Sequence, residues 1–200
     1  KGCLIDSKVI GVQNSIDQFF YEDNGKKYMF WGSFRGIYAT ELTDNGLEIK
    51  KKTDGTPVLK KRICGNRFEG TNIYKRGEYY YLFASIGTCC NGATSTYQTV
   101  VGRSKNVLGP YLDKTGRDML YDYCEIIMSG NETWAGPGHN SILIQDDVGT
   151  DWIIYHGYKK KEAENGRYVL MDKLIWSNDG WPSVKSNAPS ILEVAPYFQK

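Results

Sequence analysis

One construction occurs three times along the chain and constrains the fold more than any other feature: a β-prone run, a polar turn and a second, aromatic-rich β-prone run. The clearest copy spans residues 68–85, where Lys75-Arg76-Gly77-Glu78 separates the two runs. The other copies span residues 15–33 and 137–155. Such runs, bounded by short polar turns, are typical of β-hairpins. No window carries apolar residues at helical spacing for three turns, so the sequence predicts an all-β chain.

A further β-prone segment follows each predicted hairpin, and a fourth is indicated after the first two. The third strands are predicted at residues 36–42, 96–104 and 167–176, and the fourth strands near residues 57–59 and 119–128. Four strands in each repeat are typical of β-propeller blades. We therefore predict one partial propeller over residues 1–200 with about three four-stranded blades, at approximately residues 12–62, 63–130 and 131–190.

Composition and charge argue against two classes of partner. The formal net charge is only +2, and charged residues of both signs are spread along the chain, so no nucleic acid partner is expected. Three short Lys/Arg runs lack interleaved aromatic residues and are predicted to be solvated strand ends and turns. No apolar stretch approaches the ~18 residues of a membrane-spanning helix, so no membrane partner is expected either.

The five cysteines do not form a recognisable metal site. Cys89 and Cys90 are adjacent and the other three stand far apart, which is not a zinc-binding spacing. Two alternatives remain: two disulfides with one thiol left over, as in a secreted protein, or buried free thiols.

Asp17, Glu69 and His139 each stand at the opening of one predicted hairpin. In a propeller the first strand of each blade lines the central channel, so residues that share this position converge on one funnel. The shared position therefore predicts a polar site on the axis. The alternative is that each is a polar residue at a strand start, bonded to local backbone N–H groups.

Two carboxylates facing a funnel suit the acid-assisted cleavage of a glycosidic bond. Glu69 is the predicted general acid, because Phe68 and the aromatic run behind it favour the proton-carrying form. Asp17 is predicted to orient and tune it. Aromatic residues that would stack on sugar rings, or would alternatively be core residues, are Trp31, Phe34, Phe68 and Trp134.

Several motifs resemble glycoside hydrolase family 43, and most closely its endo-1,5-α-L-arabinanase branch. They include Ser15-Ile16-Asp17, Gly32-Ser33-Phe34, Phe68-Glu69-Gly70, Cys89-Cys90, Val101-Gly102-Arg103-Ser104, Gly136-Pro137-Gly138-His139 and Asp179-Gly180-Trp181-Pro182. The resemblance covers residues 15–182. It implies a five-bladed propeller that hydrolyses arabinan or a related plant polysaccharide with inversion, as an arabinanase, α-L-arabinofuranosidase or β-xylosidase. It also implies a secreted, periplasmic or cell-surface protein.

The resemblance assigns roles to individual residues. Glu69 matches the general acid and Asp17 the carboxylate that tunes it. His139 matches an axial histidine beside a calcium or similar ion. Arg167 matches an arginine that often contacts substrate, although a plain surface turn is the alternative. His156 is predicted to be a hydrogen-bonded structural residue.

The family's general base, an aspartate on its first blade, has no counterpart in this sequence. The chain therefore looks like the last three of five blades, and we expect an N-terminal companion fragment that carries the other blades and the base. The alternative is a non-catalytic carbohydrate-binding or scaffold propeller that lacks the base.

Overall fold

The computed structural model describes residues 2–199, and they are almost entirely β-structure joined by turns. The strands are β1 (Phe19–Asp23), β2 (Lys26–Trp31), β3 (Ile37–Glu41), β4 (Lys61–Cys64), β5 (Glu69–Arg76), β6 (Tyr79–Ile86), β7 (Gln98–Ser104), β8 (Glu125–Met128), β9 (Trp134–Gly138), β10 (Ile144–Gln145), β11 (Asp151–Lys159), β12 (Arg167–Lys173), β13 (Ile175–Trp176) and β14 (Pro182–Ser183). One short helix, α1 (Ser7–Ile10), precedes them. The all-β prediction is confirmed.

The first sheet has the order β1-β2-β3-β4. Its first hairpin pairs Phe19 with Phe30, and Asn24-Gly25 forms the turn with positive φ at both residues, as a two-residue hairpin turn requires. The fourth strand was predicted at residues 57–59 but begins at Lys61. Pro57 makes only an isolated bridge, because proline has no N–H to donate to a sheet ladder.

The second sheet has the order β5-β6-β7-β8, as the repeat predicts. Its fourth strand is shorter than predicted, because the start of that segment, Met119–Tyr121, is a 3-10 turn. The side chain of Asp118 accepts a hydrogen bond from the Leu120 backbone N–H and caps this turn.

The third sheet departs from the predicted hairpin. Its central strand β11 pairs with β12 on one side, and with both β9 and β10 on the other. The predicted first strand over residues 137–143 is interrupted at His139, where φ is 48°. A left-handed residue cannot continue an extended strand, so the chain leaves β9 at Gly138 and pairs again at Ile144.

Internal contacts divide the chain into two compact units. The first comprises Lys1–Phe83 with Gly102–Cys124, and the second comprises Ala84–Val101 with Glu125–Lys200. Trp31 and Leu42 lie in a core cluster of the first unit, and Trp152 and Ile153 are fully buried in the second. Burying one such side chain contributes about 1.5–3 kcal/mol, so these side chains stabilise the core of each unit. The predicted blade boundaries stay a prediction.

The cysteines follow neither alternative in full. Cys89 and Cys90 are joined in a disulfide, while Cys64 is a buried free thiol and Cys3 an exposed one. Cys124 is partly buried. Within residues 2–199, no helix is long and apolar enough to cross a membrane.

Candidate active site

Glu69 is the first residue of β5, and its side chain is held by a partner that the sequence did not indicate. Its Oε2 atom accepts a hydrogen bond of 2.7 Å from the Ser33 hydroxyl. Both residues are buried, at 8% and 2% exposed. Ser33 belongs to the Gly32-Ser33-Phe34 motif, which in the sequence indicates only the family resemblance. A contact between residues 36 positions apart has no local sequence signal.

The loop that carries Ser33 requires a glycine. Gly32 has a φ of 126°, and a Cβ atom there would lie 2.1 Å from the Gly36 carbonyl oxygen. A side chain at this position would force the loop away from its turn. The loop is held further where the Phe34 backbone N–H donates to the Phe68 carbonyl, 3.0 Å away, next to Glu69.

Asp17 lies beside Glu69 in the same unit, as predicted for the two carboxylates. Their carboxylate oxygens lie within 4.8 Å of each other. Asp17 is half-buried and adopts a φ of 55°, a left-handed conformation that aspartate tolerates better than most residues. Two carboxylates this close, with a hydroxyl donating to one of them, can hold and deliver a proton.

His139 lies in the second unit, directly after β9, with its side chain exposed. Its backbone N–H donates to the Ser85 hydroxyl at 2.7 Å. The preceding glycine is required, because a Cβ atom at Gly138 would lie 2.3 Å from the Tyr97 ring. A Cβ atom at Gly136 would lie 2.6 Å from the Ser95 side chain. The Gly-Pro-Gly-His segment is therefore packed closely against fixed neighbours.

His156, on β11, was predicted to be structural, and the structure places it against two candidate residues of its unit, His139 and Arg167, and against Tyr97. Its ring stacks on those of Tyr97, at 5.8 Å and 13°, and His139, at 6.3 Å and 29°. Its Nε2 atom lies 3.4 Å from Nη1 of Arg167. Burial, with smaller contributions from the Arg167 and His139 charges, lowers the pKa of His156 to about 4. The ring is therefore neutral at physiological pH.

Two of the predicted sugar platforms are wrong. Trp31 is 1% exposed and packs in the core of its unit, with its Nε1 donating to the Ser15 hydroxyl at 3.1 Å. Phe68 is fully buried. Neither ring therefore presents a face to a ligand. Core positions suit such residues, because a large aromatic side chain removes a large apolar area from water when it is buried.

The other predicted contact residues keep exposed surface. Phe34 is half-buried in the loop that carries Ser33. Trp134 is half-buried and packs edge-on against Tyr168 at 5.8 Å. Arg167 is exposed at the first residue of β12. These three remain candidates for substrate contact.

A comparison with known protein families shows which family this chain belongs to. The sequence profile of the glycosyl hydrolases family 43 matches residues 4–182. The chain belongs to this family. Asp17, Glu69, His139 and Arg167 all lie within the matched range of family 43.

Two similar proteins illustrate the relationship. The chain is 36% identical over 196 residues to an extracellular exo-α-(1→5)-L-arabinofuranosidase of Cellvibrio japonicus, covering 92% of this chain and 56% of that protein. It is 35% identical over 186 residues to an extracellular endo-α-(1→5)-L-arabinanase of Bacillus subtilis, covering 92% of this chain and 54% of that protein. The chain thus spans about half the length of these relatives.

Solved structures of the family agree with the fold. An α-L-arabinanase of Cellvibrio cellulosa, solved in complex with arabinohexaose, matches with a TM-score of 0.78 and 34% identity, over 93% of this chain and 62% of that one. An endo-arabinanase of Bacillus licheniformis matches with a TM-score of 0.73 and 32% identity, over 85% and 57%. The predicted fold class, a β-propeller of the five-bladed type, is confirmed.

Proposed function

We propose that this chain is part of a secreted glycoside hydrolase that cleaves arabinan or its oligosaccharides. Support comes from the similar proteins, named as arabinan-degrading enzymes and in two cases as extracellular. The observation that carries the proposal is the pair of neighbouring carboxylates, Asp17 and Glu69, with the Ser33 hydroxyl on Glu69.

In the proposed reaction Glu69 acts as the general acid. It gives its proton to the glycosidic oxygen as the bond from that oxygen to the anomeric carbon breaks, and the departing sugar leaves as a neutral alcohol. A water molecule attacks the anomeric carbon from the opposite face, which inverts its configuration, and loses a proton to a general base outside this chain. Asp17, whose carboxylate lies beside that of Glu69, orients the acid for this transfer.

Ser33 has a defined part in this scheme. Because its hydroxyl donates to Oε2, it holds the carboxyl group in one orientation and leaves Oε1 as the oxygen that carries the transferable proton. Acid catalysis depends on such positioning, because the proton must lie within hydrogen-bond reach of the leaving oxygen.

Calcium or a similar ion is proposed near His139, as its family motif implies. Calcium prefers oxygen ligands, whereas imidazole suits transition metals better, so His139 would lie beside such an ion rather than hold it alone. Calcium titration of the wild type and of His139→Ala, followed by the melting temperature, tests this role; an equal shift in both proteins contradicts it.

We propose further that a companion segment supplies the missing blades and the general base. The chain spans 56% and 54% of its relatives, so a complete ring of that size needs additional chain. An arabinan assay on the purified chain, alone and with the preceding segment of the gene product, tests the proposal. Turnover only with the companion supports it, and oligosaccharide binding without turnover in both cases supports the non-catalytic alternative.

A further inference from the structure

His156 lies in the middle of β11, among side chains that acid catalysis by Glu69 does not use directly. We call Tyr97, His139, His156 and Arg167 the His156 cluster; all four belong to the second unit. His156 contacts each of the other three members: two by ring stacking and Arg167 through a hydrogen-bond-length approach of 3.4 Å. It is therefore the centre of the cluster.

The base of the cluster is rigid. Tyr97 is fully buried, and its ring occupies the space that a side chain at Gly138 would need. His156 is paired with Gly138 in the ladder between β9 and β11, so its ring stands over the same backbone. Its plane lies within 13° of the Tyr97 ring. A buried aromatic ring thus fixes the plane of His156, which in turn is available to orient the exposed His139 ring.

The contact with Arg167 defines which nitrogen carries the proton. A guanidinium group only donates hydrogen bonds, so Nε2 of His156 must offer its lone pair and Nδ1 must carry the hydrogen. Nδ1 is buried and has no hydrogen-bond partner among residues 2–199. An unsatisfied buried donor lowers stability and therefore requires an explanation. The tautomer that leaves Nδ1 unsatisfied is also the one that accepts from Arg167.

We propose that His156 is a positioning residue: stacking by its ring sets the orientation of the His139 imidazole, and its Nε2 holds the Arg167 guanidinium toward the substrate. The proposal rests on the proposed function for the roles of His139 and Arg167. It explains why a half-buried histidine is placed between two groups that the family resemblance assigns to the site.

Nuclear magnetic resonance of the imidazole rings tests the geometry without any activity assay. The chain has only two histidines, so the wild type gives two ring spin systems and any His156 variant leaves His139 alone. We expect His156 in the Nδ1–H tautomer, with its Nε2 resonance shifting in Arg167→Gln. An Nε2–H tautomer, or an Nε2 resonance with the same chemical shift in the wild type and in Arg167→Gln, would overturn the proposal.

Two substitutions separate the two contacts. His156→Phe keeps a stacking ring but removes the acceptor for Arg167, whereas His156→Ala removes both. The His139 ring signals should stay near their wild-type positions in His156→Phe and move toward those of a free histidine in His156→Ala. Val148→Ala, at an exposed turn position of the same sheet, is the matched control and should leave them unchanged. Identical His139 signals in His156→Ala and wild type would refute the stacking role.

Binding of arabino-oligosaccharide then tests whether the contact between His156 and Arg167 supports ligand binding. His156→Phe and Arg167→Ala should each weaken binding about tenfold. The double variant should bind no more weakly than Arg167→Ala alone, because both substitutions remove the same contact between His156 and Arg167. A purely structural role would instead lower the melting temperature without this non-additivity, and that result would overturn the proposal. Absence of binding in the wild type would count against the proposed function alone, since the ring spectra still decide the geometry.

Discussion

Replacing Ser33 by alanine tests the proposed acid most directly. The Ser33 hydroxyl donates a 2.7 Å hydrogen bond to Glu69, and both side chains are buried, so water does not replace the lost donor easily. Glu69 becomes charged as it gives up its proton in the transition state, and a hydrogen bond to a charged group contributes about 1.5–3 kcal/mol. If about 2 kcal/mol of that serves to orient the acid in the transition state, turnover falls about 30-fold.

The assay compares two substrates in the complete protein, with the companion segment present. Natural arabino-oligosaccharide has a poor leaving group and depends on the acid, whereas an aryl arabinofuranoside with an acidic phenol leaves without protonation. Ser33→Ala should therefore reduce kcat on the natural substrate and change it little on the aryl substrate. Ser33→Thr, which keeps the hydroxyl, is the matched control and should retain most activity.

An equal loss of kcat on both substrates would refute this reasoning, because the defect would then not act through protonation of the leaving group. A rise in KM with kcat unchanged would refute it as well, since it would place Ser33 in substrate binding.

Three further predictions concern single residues. Glu69→Gln should reduce turnover of natural substrate by about 10²–10⁴-fold while leaving oligosaccharide binding intact; unchanged turnover would exclude Glu69 as the acid. Trp31→Ala should lower the free energy of unfolding by about 3–5 kcal/mol in urea titrations, because Trp31 is a core residue; weaker ligand binding without destabilisation would contradict this. Burial alone would raise the pKa of Asp113, but hydrogen bonds from Arg117 and Thr115 outweigh it and lower that pKa. The stabilisation is therefore present above the unfolded-state pKa of about 3.9 and is lost as pH falls through the lower folded value. The difference in urea midpoint between wild type and Asp113→Asn should shrink below pH 4, and a constant difference would contradict the assignment.

The first two hairpins and their turns follow from the sequence alone, because the signals are local. Asn24-Gly25 requires only the conformational freedom of its own two residues, and the aromatic run of β6 carries its own strand preference. The pairing of Asp17 with Glu69 was also predicted, because equivalent positions of a repeat fall close together in space. The family resemblance added the chemical roles.

Other features depend on contacts between distant parts of the chain. The Ser33–Glu69 hydrogen bond and the His156 cluster join residues from separate strands, and nothing in their local sequence marks them. Trp31 and Phe68 were predicted to contact a sugar and are core residues instead. An aromatic residue in or next to a strand has the same sequence pattern whether it faces the core or a ligand. Alternation and turn residues act over a few positions and so determined the strands. Which face is buried, and which side chains meet there, depends on sheet packing, which only the tertiary structure decides.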